Sequence, residues 1–187
     1  MSHISLGRLF NLKTSFTPMA IGQYLLLALA ATGLAAWLGR LTFWPALLAG
    51  ALSAVIFFVS EWLHQLGHAA AARAVGYPMV GLHFHSILSA GLYPPDEPAL
   101  PARLHIRRAL GGFRVNVALG VLLAPLAWWL WPAGGLGAWL AAWAAVVNLL
   151  VLGLGAFVPL RLPDGGTTDG GTLLHYWRDV RARRSGR

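Results

Sequence analysis

The chain has 187 residues, enough for one ordinary domain, but 57% of them are hydrophobic and only 11% are charged. A water-soluble fold carries about 25% charged residues. Three uncharged runs, residues 14–39, 41–60 and 115–160, each reach or exceed the roughly 20 apolar residues that cross a bilayer, which excludes a soluble globular protein. The net charge of +8 is accounted for by the excess of arginine and lysine that cytoplasmic loops of membrane proteins carry, so nucleic acid is not an expected partner. Cysteine is absent and histidine occurs seven times. Disulfides and thiolate metal sites are therefore excluded, and any metal would be held by His and carboxylates.

Residues 1–18 hold Arg8 and Lys13 and no acidic residue. No small-residue cleavage pattern follows a short apolar region there, so a retained cytoplasmic arm is expected. The first span is predicted from about Met19 to Leu38, with Trp37 as an interfacial anchor. After a turn at residues 39–42, the second begins near Trp44-Pro45, since proline is tolerated in a first helical turn. It runs without a breaker through Glu61, His64 and His68 to about Val75-Gly76. That is longer than a membrane requires, so its last turns reach the interface or a water-filled cavity.

Residues 76–106 change character, punctuated by Gly76, Pro78, Pro94, Pro95, Pro98 and Pro101. His83, His85 and Ile87 alternate with Leu82, Phe84 and Ser86, which predicts one or two short strands near the interface. The uncharged run 115–160 is broken by Trp131-Pro132-Ala133-Gly134-Gly135, giving two helices, roughly Arg107 to Trp131 and Leu136 to Val158. Trp128, Trp129 and Trp131, with Trp139 and Trp143, read as an aromatic belt, core packing being the alternative. Arg8 and Lys13, then Arg73, Arg103, Arg107 and Arg108, then the basic tail fall on one side if four spans leave both termini in the cytoplasm. The expected fold is thus all-α and polytopic: four transmembrane helices with a short interfacial strand and loop insertion between the second and third. Its parts are an arm at 1–18, a membrane domain at 19–178 with the interfacial loop at 76–106, and a basic tail at 179–187 at the anionic leaflet.

His64-Gln65-Leu66-Gly67-His68 places two imidazoles at i and i+4, about 40° apart around a helix that turns 100° per residue, so both can address one ion. This is how a helix grips zinc. Glu61 lies one turn earlier on the same broad face. Two core histidines satisfied by backbone carbonyls are the plain alternative, and a costly one inside a bilayer.

These residues resemble the site-2 protease family of intramembrane zinc metalloproteases. The family's HExxH helix is matched by His64 to His68, followed by Ala69-Ala-Ala-Ala72-Arg73, and its interfacial strand region looks like residues 79–93. Its Gly-Pro-x-x-Asn pattern is similar to Gly112-Phe113-Arg114-Val115-Asn116. Its last core helix carries Asn and Pro before an Asp-Gly signature, as Asn148, Pro159 and then Asp164-Gly165-Gly166 or Asp169-Gly170-Gly171 do here. The resemblance covers about residues 44–178. It implies a Zn2+ site made by His64, His68 and an Asp, with Asp169 favoured over Asp164 because Thr168-Asp-Gly-Gly-Thr-Leu-Leu174 runs into a helix. It further implies hydrolysis of a transmembrane peptide substrate near the cytoplasmic face of a prokaryotic plasma membrane. Asn116 and Asn148 are then expected to hydrogen-bond between helices or to substrate backbone.

Gln65 stands where the family has its general-base Glu, and an amide cannot accept the proton. Three explanations stay open: an isosteric inactivating replacement, another carboxylate acting as base (Glu61 before Glu97), or a pseudoprotease that holds zinc and binds transmembrane partners without cutting them. Phe113 also replaces the family's Pro. Glu61 as a fourth ligand would close the site and make the zinc structural. His83 and His85 are secondary metal candidates, while His105 and His175 are expected at the interface. A metal or proton transporter fits less well, because ionisable residues occur in only one of the spans.

Overall fold

The computed structural model describes residues 3–161 and 167–185. Helix α1 (Pro18–Trp37) starts where the Thr17 hydroxyl accepts the N–H of Ala20, with Pro18 in the first turn. Helix α2 (Phe43–Ala74) is 32 residues long and carries the HxxxH motif in its C-terminal half. Helix α3 (Ala102–Leu130) begins five residues before the Arg107 expected from sequence, so Arg103, His105 and Arg107 lie within its first turns. Helix α4 (Gly135–Val146) passes into a π-helical turn at Val147–Val151 and a 3-10 turn at Leu154–Phe157. Four helical segments, Pro18–Trp37, Phe43–Ala74, Ala102–Ala133 and Gly135–Phe157, are long and apolar enough to cross a membrane. Leu25, Leu26, Leu29, Val55, Leu122 and Trp128 are exposed on their outer faces, where hydrocarbon rather than water is the compatible solvent.

Between the helices the residues are small, as expected where lipid offers no hydrophobic drive and close backbone approach supplies the attraction. A Cβ on Gly67 of α2 would stand 2.5 Å from the Gly111 carbonyl oxygen of α3, and one on Gly120 2.7 Å from Leu149. The α2–α3 crossing that presents the histidines to α3 thus depends on glycine at both faces. Trp139 and Trp143 face inward, their indole N–H groups donating to the Ser53 hydroxyl at 3.1 Å and the Ser53 carbonyl at 2.9 Å. They are core, not belt; Trp128, Trp129 and Trp131 are exposed.

The N-terminal segment is more than an arm. β1 (Ile4–Leu9) and β2 (Leu12–Phe16) form a hairpin. Its two turn residues, Phe10 and Asn11, take φ of 49° and 66°, the left-handed pair that matches the twist of a two-residue hairpin. β2 runs parallel to β3 (Gly81–Phe84), which pairs antiparallel with β4 (Ala90–Leu92), giving the sheet order β1-β2-β3-β4. Leu12, Thr14 and Phe16 alternate inward, and the Phe16 ring stacks on Phe84 at 4.4 Å. With Ala69 and Ala72 these residues form a core that fastens the sheet to the C-terminal half of α2. A fifth helix, α5 (Asp169–Ser185), takes in much of the segment expected as a tail.

Candidate metal centre

His64 and His68 are buried on α2, and Asp169 opens α5. The three bring one donor atom each within 4.8 Å of one another. Asp169 Oδ2 is 3.3 Å from Nε2 of both histidines, and the two Nε2 atoms are 2.9 Å apart. The other ring nitrogens have defined acceptors: His64 Nδ1 lies 2.7 Å from Asn116 Oδ1 and His68 Nδ1 2.8 Å from the Arg108 carbonyl. Those oxygens only accept, so each Nδ1 carries the hydrogen and each Nε2 presents a lone pair. The 3.4 Å approach of the Gly112 N–H to His68 Nδ1 is too long to reverse that assignment. Three acceptor atoms therefore converge with no hydrogen between them, and Asp169 Oδ2 is buried with no hydrogen-bond donor. A cation resolves this arrangement. Two donors about 2.0–2.1 Å from a tetrahedral zinc lie roughly 3.3 Å apart, so the residues fit Zn2+ with the fourth position left for water or substrate.

Each ligand is held from behind, as imidazole ligands usually are. Asn116 Nδ2 donates to Asn148 Oδ1 at 2.8 Å, and Asn148 Nδ2 to the Ser60 hydroxyl and the Ala144 carbonyl, both at 2.9 Å. The bond to Ala144, four residues back, competes with the α-helical ladder where the helix widens into its π turn. This is why the expected straight helix to Val158 is interrupted. Both amides are buried and engaged between helices, and neither is among the residues lining the cavity. The alternative of substrate contact for Asn116 and Asn148 gives way to a chain running from Ser60 through both amides to His64. Gly112 lies flat against His64, where a Cβ would meet Nε2 at 2.5 Å. Gly112→Ala is expected to turn the imidazole and weaken zinc binding by at least about tenfold, as a competition titration with a chromogenic chelator would show.

Asp169 is placed by local chemistry. The Thr168 hydroxyl donates to the Val158 carbonyl at 2.6 Å and accepts the Leu160 N–H at 3.1 Å and the Gly171 N–H at 3.4 Å, as a helix cap does. Gly170 abuts the Phe157 carbonyl too closely for any side chain. Phe157 in turn meets Phe113 edge-on at 4.4 Å, so Phe113 has a packing role in docking α5. Asp164 lies outside the described residues.

Gln65 and Glu61 form a second layer. Gln65 Nε2 donates to Glu61 Oε1 at 3.3 Å and to the Ser89 carbonyl at 3.1 Å. Both partners are acceptors, which fixes the amide orientation and leaves Gln65 Oε1 on the other side, toward Gly91. Glu61 Oε1 also accepts the Ser89 N–H at 2.9 Å and the Ser89 hydroxyl at 2.7 Å. Glu61 is outside the three-donor group and does not line the cavity. It acts as a clamp on the segment leading into β4.

A cavity of about 840 Å³ opens on His68, Gln65 and Asp169, walled by Ser89, Ala90 and Gly91 on one side and by α5 on the other. At its mouth Arg108 is buried, with Nη1 donating to both Glu97 oxygens at 3.0 Å and its guanidinium 3.5 Å from the centre of the Tyr93 ring. Burial raises the Tyr93 phenol, although Arg108 pulls the other way. His105 and His175, expected simply at the interface, line this cavity, His105 stacking on Tyr176 at 4.1 Å. His83 lies in β3 with Nδ1 2.8 Å from the Ser15 hydroxyl, His85 follows just after that strand, and neither joins the three-donor group. Nothing in the sequence singles out Arg108 beyond its charge, because it lies eleven residues from Glu97 with Pro98 and Pro101 between them.

The fold is that of a site-2 protease. The solved Site-2 Protease from Methanocaldococcus jannaschii superposes with a TM-score of 0.60 over 97% of this chain and 73% of that one, at 17% identity. No protein-family model matches the chain, and no curated protein sequence matches it. The class defined is thus a membrane-protein fold shared with a protease, around a His-His-Asp group that can bind a metal ion.

Proposed function

We propose that this chain is an intramembrane zinc metalloprotease-like protein that takes an unwound stretch of a transmembrane polypeptide into the cavity and hydrolyses it near the cytoplasmic face. The observation that carries the reading is the convergence of His64, His68 and Asp169 donors at the edge of a polar cavity inside a four-span bundle. Bound there, zinc would polarise the scissile carbonyl and lower the pKa of a water molecule. The chain's own groups supply the rest. Asn116 and the Arg108 carbonyl hold the two imidazoles with their lone pairs forward. β4 is the last strand of the sheet and lines the cavity, so an extended substrate can pair with its free edge. Gln65 Oε1 accepts a hydrogen bond and orients a water, whose proton would leave to bulk water through the open cavity because an amide does not take it. Turnover is accordingly slow. The basic residues at one end of the spans support a reading with both termini in the cytoplasm of a prokaryotic plasma membrane.

The test is cleavage of a single-span substrate co-reconstituted in vesicles. Slow cleavage at a bond near the cytoplasmic end, abolished by a zinc chelator and restored by zinc, is expected. Gln65, held by Glu61 and Ser89, also favours a second reading, a non-catalytic zinc protein that retains transmembrane partners. Stable substrate capture with no cleavage, even after a carboxylate is restored at position 65, would establish that reading instead.

A further inference from the structure

On the far side of α2 from the metal centre, a second cleft of about 770 Å³ lies between the β1–β2 hairpin and the helix. At 100° per residue, Leu66, Ala70 and Arg73 fall about 120–180° around the helix from His64 and His68, so one helix presents zinc donors on one side and this stripe on another. Arg8, Lys13 and Arg73 line the cleft with Phe10, Leu66 and Val80, and no acidic residue does. Arg8 and Lys13 are direct cross-strand partners, a like-charge pairing that destabilises a hairpin unless an anion joins it. Among the described residues none of the three cations has a carboxylate partner. Arg73 sits in the last turn of a helix long and apolar enough to span a membrane, the end of a span where lipid headgroups meet protein.

The apolar wall argues for a lipid rather than a free ion. Phe10 holds a left-handed backbone, φ 49°, with 72% of its surface exposed. That conformation suits Gly or Asn, and an aromatic there is strained. Its ring rests on Trp62 at 4.9 Å, whose buried indole N–H has no protein acceptor. Ile4, Leu6 and Leu9 along β1 are exposed too, as in a hairpin lying in the bilayer interface. We propose that this cleft binds the phosphate headgroup of an anionic phospholipid, with Arg73 reaching the phosphate from α2, Arg8 and Lys13 reaching it around the hairpin tip from the opposite face of the sheet, and Phe10 over the upper acyl chain.

The experiment uses the full chain in detergent, freed of lipid and titrated with phosphatidylglycerol or phosphatidylcholine of equal chain length, with bound lipid counted by native mass spectrometry. Each cation on an anionic headgroup is worth about fivefold. Phosphatidylglycerol is expected to bind at least about tenfold more tightly, and R8Q/K13Q/R73Q to lose about a hundredfold. The control R103Q/R107Q/R114Q removes the same charge from exposed arginines outside the cleft and is expected to bind as wild type. Equal loss in both triples would reduce the effect to surface charge and overturn the proposal. Displacement of the lipid by excess inorganic phosphate would overturn it in favour of a free-anion site. Equal binding of the two lipids by wild type, or no loss in the single variant Arg73→Gln, would overturn it even if the triple failed to fold.

Discussion

For the proposed hydrolysis, replacing Gln65 by Glu is expected to raise the rate of cleavage by about 10²–10⁴-fold, the usual contribution of a positioned general base. The side chain already faces the cavity, with its other end fixed by Glu61 and the Ser89 carbonyl. A carboxylate of nearly the same shape would keep one oxygen toward the cavity. Its second oxygen would meet two acceptors in place of the donor Nε2, so Gln65→Glu is expected to loosen the Ser89 segment and raise KM modestly while kcat rises. Glu61→Gln in the Gln65 background tests the clamp separately. Were Glu61 the base, that variant would abolish the slow wild-type reaction; the structure, which keeps Glu61 out of the cavity, predicts a change chiefly in KM.

Loss of a metal ligand has the other large effect. Asp169→Ala and His68→Ala are each expected to cost more than the about 10–100-fold in zinc affinity that removal of an outer partner costs, and to abolish cleavage. His64→Ala does the same and leaves Asn116 Oδ1 without its donor. Metal analysis after dialysis reads these directly. The bundle itself survives, because its helix crossings rest on glycine contacts such as Gly67–Gly111 and on Trp139–Ser53 rather than on the ligands.

The spans were legible because hydrocarbon enforces a length and a composition, and α1 and α2 begin and end within a residue or two of the positions read from sequence. His64 and His68 were legible because i and i+4 is a local relation. Asp169 was reached only through resemblance: about a hundred residues separate it from His68, and no periodicity carries such a contact. The hairpin at residues 4–16 is not legible in the sequence, because its inward positions, Leu12, Thr14 and Phe16, include a hydroxyl and are interleaved with Lys13 and Ser15. Its parallel partner β3 comes from the far side of two spans. The π turn at Asn148 was equally hidden, since what drives it is a pair of side-chain hydrogen bonds to Ser60 and Ala144, one of them 88 residues away.

Everything functional rests on three side chains meeting at one ion. X-ray absorption at the zinc edge of the purified, zinc-loaded chain tests that most directly. The structure predicts about four nitrogen and oxygen neighbours at roughly 2.0–2.1 Å with the outer-shell scattering of two imidazoles, reduced to one imidazole in His68→Ala. A shell of oxygens alone, or a spectrum that the His68→Ala change leaves unaltered, would contradict it.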